Sequence, residues 1–92
     1  MAEIIHINAD GNYCMIHFTE REEMLVSKNI GFYDETLNSF GFMRVHRGHT
    51  INLHHVLEYC RYDGGSVIMS DNCKIPVSNV KKDELLEKMN GI

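Results

Sequence analysis

No apolar run in this sequence approaches the roughly 20 residues that a bilayer span requires. The first residues, Met1-Ala2-Glu3-Ile4-Ile5-His6, place no basic stretch ahead of an apolar segment, so no export signal is read there. Both absences point to a cytoplasmic protein with no membrane partner. Cysteine is sparse: Cys14, Cys60 and Cys73 are odd in number, widely spaced and free of any CxxC pair, which excludes a disulfide framework. Each lies in an apolar stretch and reads as a reduced, buried thiol acting as a small hydrophobe. Proline occurs once, at Pro76. It cannot donate to a sheet ladder, so its strand lies at an edge or ends there.

Positive charge is also scarce. Nine Lys and Arg stand against 13 Asp and Glu, a formal net charge of −4, which at first argues against a nucleic-acid partner. The distribution matters more than the sum. Residues 1–38 hold Glu3, Asp10, Glu20, Glu22, Glu23, Asp34 and Glu35 against Arg21 and Lys28 alone. Residues 41–62 hold Arg44, Arg47 and Arg61 against Glu58, together with His46, His49, His54 and His55. A basic segment thus sits in the middle of an acidic chain, as an anion-facing surface would require, although a solvated face of mixed charge gives the same count.

What is present is ordinary for a globular protein: 92 residues, 43% apolar and 24% charged. A chain of this size builds one core and therefore one domain. Residues 3–9 are short and β-branched, and Asp10-Gly11-Asn12 closes them with a hairpin turn. Tyr13 to Thr19 follows, with Tyr13, Met15 and His17 on one side and Cys14, Ile16 and Phe18 on the other. After the charged turn Glu20 to Glu23, Met24 to Lys28 completes an antiparallel meander. Tyr33, Leu37 and Phe40 recur at helical spacing and predict a short buried helix over 34–40, stopped by Asn38 and Gly41. Phe42 to His46 resumes extended structure, with Phe42 and His46 flanking Arg44 on one face. Arg47-Gly48-His49 interrupts it, and Thr50 to Leu53 reads as strand or turn.

The remaining chain predicts a strand over 55–62, a hairpin at Asp63-Gly64-Gly65, a return strand over 66–70, a turn at Asp71-Asn72 and a last strand over 73–77. In the first of these, Val56, Glu58, Cys60 and Tyr62 oppose Leu57, Tyr59 and Arg61. Ser78 reads as the N-cap of a helix over 79–89, with Leu85, Leu86 and Met89 as its apolar stripe, Val80 facing the same way, and Glu84 and Lys88 paired i,i+4. The fold class is mainly β: about seven short antiparallel strands in small packed sheets, one short internal helix and one C-terminal helix.

Six histidines raise the question of a metal, above all His46-x-x-His49 and His54-His55. Zinc sites built from loops want three or four ligands held tetrahedrally, usually with a cysteine pair. Adjacent residues on an extended chain point to opposite faces, so His54 and His55 chelate poorly. The histidines therefore read as structural or surface groups, with no metal and no cofactor implied. His46 is expected to be partly buried and to orient the Arg47 loop. Asp10, Asp63 and Asp71 stand in turns beside Gly or Asn, where turn formation explains them. No nucleophile and base share a supporting motif, so the chain does not read as an enzyme.

The run Gly41-Phe42-Met43-Arg44-Val45-His46-Arg47-Gly48-His49-Thr50-Ile51-Asn52-Leu53 resembles the signature of the LytTR DNA-binding domains of bacterial response regulators. That signature reads F-x-R-x-H-R-S, two or three apolar residues, then N-x-x-x-[IV]. Phe42, Arg44, His46, Arg47, Asn52 and Val56 fall in register with it. Ile4 to Tyr13 is similar to the family's opening, and Ile75-Pro76-Val77-Ser78 to its closing strand. The three matches, in order, cover residues 3–90.

The resemblance implies one LytTR-like domain over residues 1–92, with an abbreviated or trimmed first edge and no receiver domain in the chain. It implies sequence-specific binding of double-stranded DNA at paired direct repeats, with loops in the major groove. Such a domain would be the output half of a two-component transcription regulator behind a phosphorylatable receiver, monomeric or weakly dimeric in isolation. Carried over by position, DNA contacts fall at Asn12 and Tyr13, at Arg47, Gly48 and His49, and at Ser78 with Asn79. Lys81 and Lys82 fall where phosphates would be met, and Arg44 either joins the contacts or lies along the sheet. Arg47 can grip guanine and Asn79 adenine bidentately, while the Tyr13 and Ser78 hydroxyls and the amides of Gly48 and Ser78 suit phosphate oxygens. Gly48 replaces the family's serine and Asn79 its usual arginine. Those two changes, with the negative net charge, keep a second expectation open: a protein-interaction module of the same fold without DNA affinity.

Overall fold

The computed structural model describes residues 3–62 and 64–90. Its elements are β1 (Ile4–Asp10), β2 (Tyr13–Phe18), β3 (Met24–Val26), α1 (Asp34–Asn38), β4 (Phe42–His46), β5 (His49–Asn52), β6 (Val56–Cys60), β7 (Ser66–Met69), β8 (Lys74–Pro76) and α2 (Lys82–Asn90). Short 3₁₀ turns at Ile30–Tyr33, Leu53–His55 and Asn79–Lys81 lead into α1, β6 and α2. One five-stranded sheet runs in the order β3-β2-β1-β5-β4, and a three-stranded sheet in the order β6-β7-β8. All pairings are antiparallel. The fold is mainly β with two helices, as the sequence predicts.

The first sheet is buried on both faces, which its alternation alone would not allow for β1. A register shift between Ile4 and His6 resolves this. The bulge lets Ile4 and Ile7 join Cys14, Ile16, Leu37 and Phe42 on one face, while Ile5 joins Met43, Val45, Ile51 and Leu53 on the other. The second face packs against Val67, Met69 and Ile75 of the small sheet, Val77 just beyond it and Leu85 of α2. Each such side chain contributes about 1.5–3 kcal/mol by leaving water, so the core requires both layers. Asn52, 2% exposed, ties the exit of β5 to the entry of β1: its amide donates to the Ile4 carbonyl at 2.9 Å and accepts the His54 N–H at 3.0 Å.

Several expectations are corrected. The helix stops at Asn38, so Phe40 lies past its end and is 53% exposed, while Leu37 is buried and Tyr33 partly so. Gly41, at φ +86°, makes the turn into β4. A register shift between Arg44 and His46 turns His46 toward His49, so it does not share a face with Phe42. His49 opens β5, which makes eight strands among the described residues. His54 and His55 stand in a 3₁₀ turn, not on opposite faces of a strand. A further shift between Val56 and Glu58 places Val56 and Tyr59 together against the core, where strict alternation separates them.

The stripe of α2 is narrower than predicted. Leu85 is fully buried and Met89, one turn on, packs beside it, but Leu86 is 39% and Val80 86% exposed. Ser78 is extended and its hydroxyl caps nothing, since a 3₁₀ turn intervenes before α2. Pro76 does lie on an edge strand, β8. Cys14 is buried, whereas Cys60 and Cys73 are only partly covered. Asp63, the first residue of the Asp63-Gly64-Gly65 turn, lies outside the described residues; Gly64 and Gly65 take φ +87° and +97°.

Candidate nucleic-acid interface

Three segments meet at one end of the large sheet. Asn8 pairs with His49, and the Ala9 N–H donates to the Gly48 carbonyl at 2.8 Å. The β1–β2 turn at Gly11-Asn12 and the β4–β5 turn at Arg47-Gly48 therefore leave the same edge. The Ser78 N–H donates to the Val45 carbonyl at 2.8 Å, which brings the 3₁₀ turn Asn79–Lys81 beside them. A cleft of about 380 Å³ lies between the last two of these segments, lined by Arg44, His46, Arg47, Ser78, Val80 and Lys81. Among the described residues no carboxylate lines it. Asp34, Glu35 and Glu84 line an adjoining hollow on the α1 side, which shares Arg44 and Lys81 with the cleft. Of the three cations on the cleft, Arg44 is paired with Asp34 and Lys81 with Glu84, which leaves Arg47 as the cation offered most freely there.

The β4–β5 turn is held by side chains on both flanks. Arg44 donates through Nε to the His46 carbonyl at 3.2 Å and through Nη2 to the Arg47 carbonyl. Its Nη1 pairs with Asp34 at 2.6 Å, an anchor the sequence reading missed because Asp34 reads as an ordinary helix start. His46 Nδ1 accepts the Gly48 N–H at 3.1 Å, so half-buried His46 does orient the loop. The backbone from 46 to 48 is fixed while the Arg47 side chain stands exposed. Arg44 thus acts on the turn from beneath.

Two expected phosphate donors are not available. The Gly48 amide is spent on His46 and the Ser78 amide on Val45. Asn12, Tyr13 and Asn79 are exposed, Tyr13 by 47%, and Ser78 and His49 are half-buried. Lys81 lines the cleft but lies 3.7 Å from Glu84. Lys82 turns away, toward the small sheet: a side chain added at Gly65 would meet its Cε at 2.8 Å. Behind the edge the sequence reading also missed a histidine cluster. His6 and His17 stack with ring centroids 4.1 Å apart, His17 donates to Asn8 Oδ1 at 2.6 Å, and His46 and His49 lie 5.3 Å apart. Burial first, then neighbouring imidazoles, pushes the pKa of both His6 and His49 down.

The LytTr DNA-binding domain model matches residues 1–90. The chain belongs to that family. A solved LytTr domain from Bacillus cereus, from a chain described as a methyl-accepting/DNA response regulator, superposes with a TM-score of 0.82 at 16% identity. That match covers 99% of this chain and 84% of the other and shows the shared fold. The heme-containing CO-sensing transcriptional regulator RcoM 2 of Paraburkholderia xenovorans (strain LB400) is 27% identical over 90 residues, 95% of this chain. This LytTr domain spans 33% of that relative's length. Among the described residues no helix is long and apolar enough to cross a membrane. The LytTr family is a DNA-binding family.

Proposed function

We propose that this LytTr domain binds duplex DNA sequence-specifically for transcriptional control, by inserting the β4–β5 turn and its neighbours into the major groove. The observation that carries the reading is the clamped turn: Arg44 and His46 hold its backbone while the exposed Arg47 projects from the rim of the cleft. A guanidinium on a fixed turn loses little freedom on binding and presents the fork that matches guanine O6 and N7. Asn12, Tyr13 and His49 on one side, and Ser78 with Asn79 on the other, extend the contact along the groove. Gly48 lets the backbone approach, Lys81 meets a phosphate, and Lys82 contributes only if it leaves Gly65. Arg44 serves as the positioning residue of the turn.

In this reading the domain is the output half of a two-component regulator behind a phosphorylatable receiver. Two copies occupy direct repeats, with weak or no self-association of the isolated domain. Few cations face the cleft, so log K should fall with log salt as for roughly three to five phosphates.

Selection from a randomised duplex pool in about 50 mM salt tests the proposal. Recovery of a short motif is the expected result. Failure to enrich any sequence would overturn it and favour the interaction-module reading, to which the −4 charge lends weight.

A further inference from the structure

The two sheets meet through a contact that neither the core nor the DNA edge requires. His6, on β1 of the large sheet, is 3% exposed, and its Nε2 donates to Asp71 Oδ2 at 3.0 Å. Asp71 belongs to the β7–β8 turn of the small sheet, and Cys73 follows two residues later. That turn is rigidly made. The Asn72 N–H donates to the Met69 carbonyl at 2.8 Å, the Met69 N–H to the Cys73 carbonyl at 2.9 Å, and the Cys73 N–H to Asp71 Oδ1 at 3.1 Å. A ring nitrogen of His6, a carboxylate oxygen of Asp71 and Cys73 Sγ all lie within 4.8 Å of one another.

We propose that His6, Asp71 and Cys73 form a binding site for a zinc-class divalent cation that staples the small sheet to the large one. Bonds of about 2.0–2.3 Å to N, O and S at tetrahedral angles put ligand atoms about 3.3–3.6 Å apart. The Nε2–Oδ2 pair need open by only a few tenths of an ångström, and the thiol closes inward. A mixed imidazole, carboxylate and thiolate set suits zinc over magnesium or calcium. Asp71 is exposed, so water can supply a fourth ligand.

The protons balance. The cation takes the place of the His6 Nε2 proton, which moves to Nδ1, and the Cys73 thiol releases its proton to solvent. Nδ1 is buried without a hydrogen-bond partner, so the proton it receives carries a desolvation cost that the metal bonds must offset. The site uses no residue of the proposed DNA contact and stands independently of it.

Cobalt(II) titration of the whole chain, followed by zinc competition, tests the site. One equivalent should give tetrahedral visible bands and a near-ultraviolet thiolate charge-transfer band, both displaced by zinc. Cys73→Ser should abolish the charge-transfer band. Asp71→Asn, which keeps the turn-forming Oδ1, should weaken uptake by at least the roughly 10–100-fold that outer-shell changes cost. Cys60→Ser and His54→Ala should bind as the wild type. Zinc should raise the Tm of the wild type and leave that of Cys73→Ser unmoved. No band in the wild type, a band that survives Cys73→Ser, or one lost in Cys60→Ser would each overturn the proposal.

Discussion

The Ser78 N–H donates to the Val45 carbonyl at 2.8 Å, and this one bond joins the segment before α2 to β4 beside the Arg47 turn. Residues 33 positions apart in sequence thereby share one cleft, with Ser78 and Lys81 on one wall and Arg44, His46 and Arg47 on the other. The interface is a product of both sheets. The small sheet delivers Ser78 only because β8 ends at Pro76, on an edge where the chain is free to leave.

Gly48 is tolerant by this geometry. Its φ is not in the left-handed region, and an added Cβ would meet His46 Nδ1 at 3.6 Å and Ala9 Cβ at 4.0 Å, both ordinary contacts. Gly48→Ser should leave the unfolding free energy within about 0.5 kcal/mol of wild type. The added hydroxyl should tighten DNA binding by about 2–12-fold, the worth of one net hydrogen bond. Urea unfolding and anisotropy titration read the two effects separately.

Arg44→Lys should loosen the turn. An ammonium is a compact charge and cannot span Asp34 and the carbonyls of His46 and Arg47 at once. Hydrogen exchange at the Gly48 amide should accelerate on the order of tenfold, and DNA affinity should fall evenly across sequences. A selective loss of base preference would instead show that Arg44 touches bases directly.

Acidification should destabilise the metal-free domain. His49 is held below its usual pKa by burial, then by the charges of His46, His6 and His17; His6 is lowered by burial and His17, against the opposing pull of Asp71. For a histidine lowered in the folded state, the unfolded chain binds more protons at intermediate pH, so stability rises with pH. The contribution is complete above the unfolded value near 6.5 and is lost as pH falls below it. Urea midpoints in a chelator, measured at pH 7.5 and 5.0, should show the lower value at 5.0. An unchanged or higher midpoint at pH 5.0 would refute the burial of these rings.

Much of this was legible in the chain because local chemistry decided it. The Asp10-Gly11-Asn12 turn, the faces of β2, the proline-limited β8 and the Glu84–Lys88 pair at 3.8 Å follow from period and turn residues alone. The errors cluster where a bulge or a helix end breaks the period. Single register shifts reassign His46, and Val56 with Tyr59, and the early stop of α1 strands Phe40 in solvent. Contacts across the layers left no local trace: His6 meets Asp71 at a separation of 65 residues, and Arg44 meets Asp34 across the mouth of a turn. The Ser78 amide reads as a free donor because only the assembled sheets bring it to Val45, whereas the Gly48 amide is taken locally by the His46 ring, whose rotamer the sequence does not display.

Anisotropy titration of the selected duplex with wild type and Arg47→Ala, at fixed salt and with matched unfolding curves, tests the central claim most directly. Loss of a bidentate base contact of about 1–3 kcal/mol predicts binding weaker by about 5–150-fold, with relaxed preference at one guanine and unchanged stability. Binding by Arg47→Ala equal to wild type in affinity and preference would contradict the assignment of the β4–β5 turn to the major groove.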